Sequence, residues 1–196
     1  MNLWLVRHAQ PLIESGVCYG QLDMPADAKA AQLCAEQLAA VLPKGIHIIC
    51  SPLQRCELLA PVLIELRSDF TYITDVRLQE MDFGQWEGQP WAAIPQAELQ
   101  AWTDDFANYR AGQSGESVTQ FMARVAAAFD ALSPTQDTLW ITHAGVIRAA
   151  TLIASGVRSI TQADQWPSDA PAYGQWCKLT IHLQKHITGK LHGHQS

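Results

Sequence analysis

Hydrophobic residues along the chain follow two alternating patterns: short continuous apolar runs, and longer stretches in which apolar positions recur every three or four residues. The first run, Trp4, Leu5 and Val6, reads as a strand covered on both faces, and it stops at Arg7 and His8 with Pro11 close behind. Asp27 can cap a helix from Ala28 to about Leu42, with Ala31, Cys34, Leu38 and Val41 on one face and Pro43 and Gly45 as its stop. His47 to Cys50 is a second strand. After it, Ser51 is a good N-cap and Pro52 suits the first helical position of a helix through Leu53, Cys56, Leu59 and Leu63, which Pro61 must kink or shorten. Thr71 to Thr74 is a third strand.

From about Asp75 to Glu116 the pattern is irregular and rich in Trp, Pro and Gly, with one helix expected after Pro95 through Trp102 and Phe106. Loops of that length inside a compact domain tend to be functional. Ser117 and Gln120 then form a capping box, and Val118, Phe121, Val125, Phe129 and Leu132 mark the buried face of the helix it opens. Thr138 to Thr142 is a strand ended by His143, and Gly145 allows a tight start to a further helix. A last strand spans Trp176 to Leu183. Strand and helix alternate, so the expected fold is α/β: three layers with a mostly parallel central sheet, in one domain over residues 1–196.

In sheets of this kind ligands gather beyond the carboxyl ends of the strands. Arg7 and His8 leave the first strand there, Arg55 lies in the first turn after the second, and His143 follows Thr142. Two guanidiniums match the oxygens of a phosphate dianion through forked hydrogen bonds. A histidine beside arginines is pushed toward its neutral form, free to attack phosphorus, while a second, protonated, could steady the equatorial oxygens. A leaving alkoxide needs an acid, and Glu80 is the best placed, with Asp82 and Glu87 as rivals. Singly, each residue has an ordinary explanation: a surface turn, a solvated arginine, a core histidine, an acidic loop. Their gathering at successive strand ends favours the functional one.

Composition narrows the partners. A net charge of −6 over 196 residues argues against nucleic-acid and anionic-membrane surfaces, and no apolar run approaches a membrane span. Five scattered cysteines without a C-x-x-C pair read as reduced core residues, and with no signal sequence visible the expectation is a cytoplasmic protein. Trp86, Trp91 and Trp102 are expected to pack the irregular segment, one of them lining a pocket. His182, His186, His192 and His194 read as a polar tail rather than a metal tract, and Cys56 as helix core.

The stretches LVRHAQ, SPLQRCELLA, LQEMDFGQWEG, GESV and THAGVIRA resemble, in order and spacing, the motifs of the histidine phosphatase superfamily, the phosphoglycerate-mutase-like group, and look closest to small bacterial phosphatases similar to α-ribazole phosphatase. The resemblance implies that His8 is the phosphorylated nucleophile and Glu80 the general acid and later base. It implies that Arg7, Arg55 and His143 bind the phosphoryl group, with Ala144 beside them, and that the 75–116 excursion lies over the active site. Metal and other cofactors are not expected, because the arginines supply the positive charge. The substrate class is a small phosphorylated metabolite, α-ribazole 5′-phosphate among the candidates. A mutase and a non-catalytic phospho-ligand binder are the alternatives.

The chain departs from the common R-H-G-x-T pattern and its following asparagine: Ala9, Pro11 and Glu14 occupy those places. Pro11 offers no N–H, and Glu14 would repel a phosphate if it pointed inward. Two ways out are expected: Gln10 replaces the lost donor, or Glu14 points outward.

Overall fold

Leu5 and Val6 are both fully buried, yet neighbouring side chains leave a strand on opposite faces, and this alternation sets the layering. Leu5 packs with Phe121, Val125, Trp140 and Ile147. Val6 packs with Leu38, Ile48, Leu63 and Ile141. The computed structural model describes residues 1–181. Within them the strands β1 (Asn2–Arg7), β2 (His47–Cys50), β3 (Thr71–Thr74), β4 (Thr138–Thr142) and β5 (Trp176–Thr180) form one sheet in the order β3-β2-β4-β1-β5. All pairings are parallel except that of β5 with β1. Helices α5 (Val118–Asp130) and α6 (Ala144–Ala154) carry the first cluster; α1 (Ala28–Val41) and α3 (Ala60–Leu66) carry the second. The result is the expected three-layer α/β/α arrangement.

Register brings the strand ends level. Arg7 lies opposite Thr142, and Cys50 opposite Ile141. The ladders continue one step beyond the strands, since the His8 N–H donates to the Thr142 carbonyl (3.0 Å) and the Ser51 N–H to the Ile141 carbonyl (2.9 Å). His8, Ser51 and His143 therefore leave three adjacent strands side by side at the carboxyl edge.

The Ser117 to Gln120 capping box forms as expected, and every apolar residue expected on the buried face of α5 and just beyond it is buried. Two local expectations need correction and a third is met. Ser51 does not cap a helix: α2 begins at Gln54 (Gln54–Glu57) with extended Leu53 before it, and the Ser51 hydroxyl is engaged elsewhere. The interruption expected at Pro61 is present, because proline cannot donate to the carbonyl one turn back, and it sits in the first turn of α3. Val41 is exposed while Leu42, extended at the end of α1, turns inward. Between β3 and α5 run three short 3-10 turns and α4 (Gln96–Asp104), which ends before Phe106. Among the described residues no helix is long and apolar enough to cross a membrane. The four tail histidines lie outside the described residues.

Candidate active site

His8 is buried at the end of β1, and its Nδ1 lies 2.7 Å from the Ala9 carbonyl oxygen. A carbonyl can only accept, so Nδ1 carries the proton and the lone pair is on Nε2. The His143 ring stands 5.1 Å from it, centroid to centroid. His143 Nε2 is 2.8 Å from the Ser51 hydroxyl and 3.5 Å from the Cys56 sulfur, so the residue expected to cap a helix holds an imidazole instead. Arg55 is completely buried, with its guanidinium donating to the carbonyls of Leu22 (2.9 Å) and Gly20. Arg7 is half-buried and donates to the Pro171 carbonyl at 3.3 Å. Among the described residues neither arginine has a carboxylate partner, and the Nε of each is buried without a hydrogen bond.

Burial and this excess of positive charge act together on the imidazoles. Burial, with the charges of Arg55 and Arg7 added, pulls His8 down to about 3 against the opposing bond to Ala9. Burial and then Arg55 hold His143 well below the usual histidine range. Both shifts favour the neutral ring in the free site, burial first and the neighbouring cations second.

Glu80 is fixed by backbone. Its Oε2 accepts from the Gly145 N–H (2.9 Å) and its Oε1 from the Met81 N–H (3.0 Å). A Cβ on residue 145 would stand 2.2 Å from Oε1, so only glycine permits this approach. Arg124, reaching across from α5, donates to the carbonyls of Arg77 (2.9 Å), Gln79 (2.8 Å) and Glu80 (3.2 Å), while paired with Glu116 at 2.6 Å. Thr142 adds a hydroxyl bond to the Leu78 carbonyl at 2.7 Å. The rival carboxylates are occupied: Asp82 accepts from Gly84, and Glu87 from Gln21, Leu22 and Phe83.

A cavity of about 460 Å³ opens beside these groups and is lined by Arg7, His8, Glu80, Ala144 and Gly145. Its far side is aromatic, formed by Phe83, Trp91, Trp102, Phe121 and Trp166, with Arg148 at the margin. Arg55 and His143 are buried against Tyr19 and His8 and are not part of this lining, and Gln10 lies away from the site altogether. It is exposed and lines a separate cavity with Pro11 and Glu14, because its backbone carbonyl is engaged with the Asp27 N–H and the chain turns away after Ala9. Glu14 also points outward, removing the repulsion it threatened. Arg124, Tyr19 and Tyr173 were not singled out from the sequence, and Ser51 was read only as a helix cap. Arg124 alone carried a signal, as an arginine beside the apolar face of Phe121 and Val125.

The family model of the histidine phosphatase superfamily (branch 1) matches residues 3–185. The chain is 27% identical over 174 residues to the adenosylcobalamin/α-ribazole phosphatase of Salmonella typhimurium, covering 85% of this chain and 84% of that protein. It is 32% identical over 138 residues to a Yersinia pestis protein named "Probable phosphoglycerate mutase GpmB", covering 66% and 62%. Among solved structures, the mycobacterial glucosyl-3-phosphoglycerate phosphatase superposes with a TM-score of 0.72 at 26% identity, over 90% of this chain and 88% of that one.

The neutral imidazoles set a pH dependence. As pH falls from about 6.5 toward 3, the unfolded chain takes up a proton that folded His8 refuses, so stability declines. The decline attributable to this ring is about 1.4 kcal/mol per pH unit. Urea melts at pH 7 and pH 5 in phosphate-free buffer should show a shallower decline for His8→Asn than for the wild type. Equal declines would mean that folded His8 titrates normally.

Proposed function

The chain belongs to branch 1 of the histidine phosphatase superfamily, and from that premise we propose that it hydrolyses phosphomonoesters through a phosphohistidine on His8, without metal or other cofactor. One observation carries the reading: His8, with its proton on Nδ1 and a lone pair on Nε2, lines the cavity with Arg7, and among the described residues neither Arg7 nor the neighbouring Arg55 has a carboxylate partner. Nε2 attacks phosphorus as the bond to the alcohol oxygen breaks, and the electron pair leaves with that oxygen. Glu80 gives the departing oxygen its proton. Water then attacks the phosphohistidine, Glu80 takes a proton from it, and Nε2 departs with its electron pair. Arg7, Arg55 and His143 hold the nonbridging oxygens, with the Ala144 backbone beside them. His143 gains its proton once the dianion offsets the arginine charge.

The aromatic side of the cavity supports a small substrate whose alcohol has a flat or apolar body. The α-ribazole ester for which the Salmonella relative is named is one candidate. The Yersinia relative raises the mutase alternative, but a phosphoglycerate carries a second anionic group. Among the described residues only Arg148 adds another cation to the cavity lining. We read the 75–116 excursion as the wall that shapes this cavity within a single catalytic domain. Five free thiols fit a reducing, cytoplasmic setting.

Two variants test the roles. Glu80→Gln should lower kcat/KM by about 100-fold for an alkyl phosphate and much less for nitrophenyl phosphate, whose leaving group departs without a proton. Equal losses for both esters would reject Glu80 as the acid. Gly145→Ala, which forces the carboxylate aside without removing it, should show the same dependence on leaving group, with a loss on alkyl esters of about 100-fold. Wild-type rates on alkyl esters would show that the carboxylate position in this structure is not the working one. Chelator should change none of these rates.

A further inference from the structure

Neither Pro11 nor Glu14 offers a donor to an anion at His8: the first has no N–H and the second is outside the cavity. Two tyrosines from distant parts of the chain stand close by instead. The hydroxyls of Tyr19 and Tyr173 are 2.6 Å apart. Each ring also meets one of the arginines: the Arg7 guanidinium carbon lies 3.8 Å from the Tyr173 ring centroid, and that of Arg55 lies 5.4 Å from the Tyr19 centroid. Tyr173 is 5.5 Å from the His8 ring, centroid to centroid, and Tyr19 lines the cavity with Arg7 and His8.

Tyr173 is held in place by the chain on both sides of it. The Gly174 N–H donates to the carbonyls of Arg7 and His8, both at 3.1 Å, and the Gln175 carbonyl accepts from the Arg7 N–H at the same distance. The Arg7 side chain bonds the Pro171 carbonyl. The segment from Pro171 to Gln175 is thus bound to the residues it covers, and its aromatic ring lies flat against a guanidinium. A cation over a ring face is attracted by the ring quadrupole, which lets the ring fix the charge without neutralising it, as a carboxylate would.

The protons of the two hydroxyls can be counted. Two O–H groups make one bond between them, which uses one proton, and among the described residues neither hydroxyl has another partner. One O–H is therefore left to donate. Both tyrosines line the smaller cavity beside Pro11, and of the two Tyr19 also lines the larger one with Arg7 and His8, so Tyr19 is the hydroxyl able to serve an anion there when Tyr173 donates to it. Burial and the bond to Tyr173 push the Tyr19 phenol upward, so it remains a donor at neutral pH.

We propose that Tyr19 and Tyr173 recognise the phosphoryl group as one unit: the Tyr173 ring fixes Arg7, the Tyr173 hydroxyl orients that of Tyr19, and Tyr19 donates its O–H to a nonbridging phosphate oxygen. Tyr19 is a phosphate-binding residue and Tyr173 a positioning residue. The proposal rests on the phosphatase reading for the identity of the anion.

The test is the affinity for inorganic phosphate, measured by calorimetry on wild type, Tyr19→Phe, Tyr173→Phe, the double Phe variant and Tyr173→Leu, with hydrolysis of nitrophenyl phosphate followed in parallel. Tyr19→Phe should weaken phosphate by about 10-fold, as loss of a hydrogen bond to a charged group does. Tyr173→Phe should weaken it by about threefold, because Tyr19 keeps its proton and loses only its orientation. The double variant should be no weaker than Tyr19→Phe, since the second hydroxyl acts only through the first. Tyr173→Leu should lose about 10-fold or more, with phenylalanine at the same position restoring the part due to the ring. Additive losses in the double Phe variant, or a Tyr19→Phe affinity within twofold of wild type, would overturn the proposal, and both comparisons keep the rings and their packing. Because phosphate binding needs no turnover, a protein that hydrolyses no ester but shows these losses would defeat the hydrolase reading and leave the pair standing.

Discussion

Arg55 carries a full positive charge with no solvent exposure and, among the described residues, no carboxylate to meet it. Leaving a charge in that condition costs several kcal/mol. The fold offsets part of this cost with neutral dipoles, the carbonyls of Gly20 and Leu22, which hold the guanidinium while leaving its charge in place. That choice has consequences throughout the site. Burial, and then this charge, keep His8 and His143 from holding a second proton, which under the proposed reaction leaves His8 a lone pair for phosphorus. A site built with a carboxylate beside Arg55 would be more stable and would have no use for phosphate.

The sheet turns this electrostatic condition into geometry. Parallel pairing of β1, β2 and β4 in a register that carries on for one residue past each strand places His8, Ser51 and His143 next to one another with little freedom. Glu80 comes from a segment without regular structure, so its placement needs its own supports. Arg124 grips three successive stretches of its backbone, Thr142 bonds Leu78, and Gly145 gives the carboxylate a backbone N–H that no larger residue would leave accessible. The imidazoles thus lie on strand ends and the carboxylate proposed as the acid on a braced loop.

Much of this was legible along the chain because strand ends and helix starts carry local signals. Arg7, His8, Arg55 and His143 all interrupt apolar runs, and alternation of those runs with helical periodicity was enough to predict a common rim. Capping chemistry was legible at Ser117, where the hydroxyl has nothing else to bond, and misleading at Ser51, where His143 claims it from 92 residues away. Gln10 was chosen by chain proximity, which fails when the backbone turns. Tyr19 and Tyr173, 154 residues apart, carry no local signal at all: their meaning exists only after β5 and the loop before it have folded against β1.

The central claim is that Nε2 of His8 becomes covalently bonded to phosphorus during turnover. Rapid quenching of wild-type protein with a labelled phosphomonoester, followed by peptide mapping under alkaline conditions, tests it most directly. The account predicts acid-labile, base-stable phosphate on the peptide containing His8, accumulating before steady state and absent from the His8→Asn protein. Ester hydrolysis at full rate with no phosphate on that imidazole, or with phosphate on a different side chain, would contradict it.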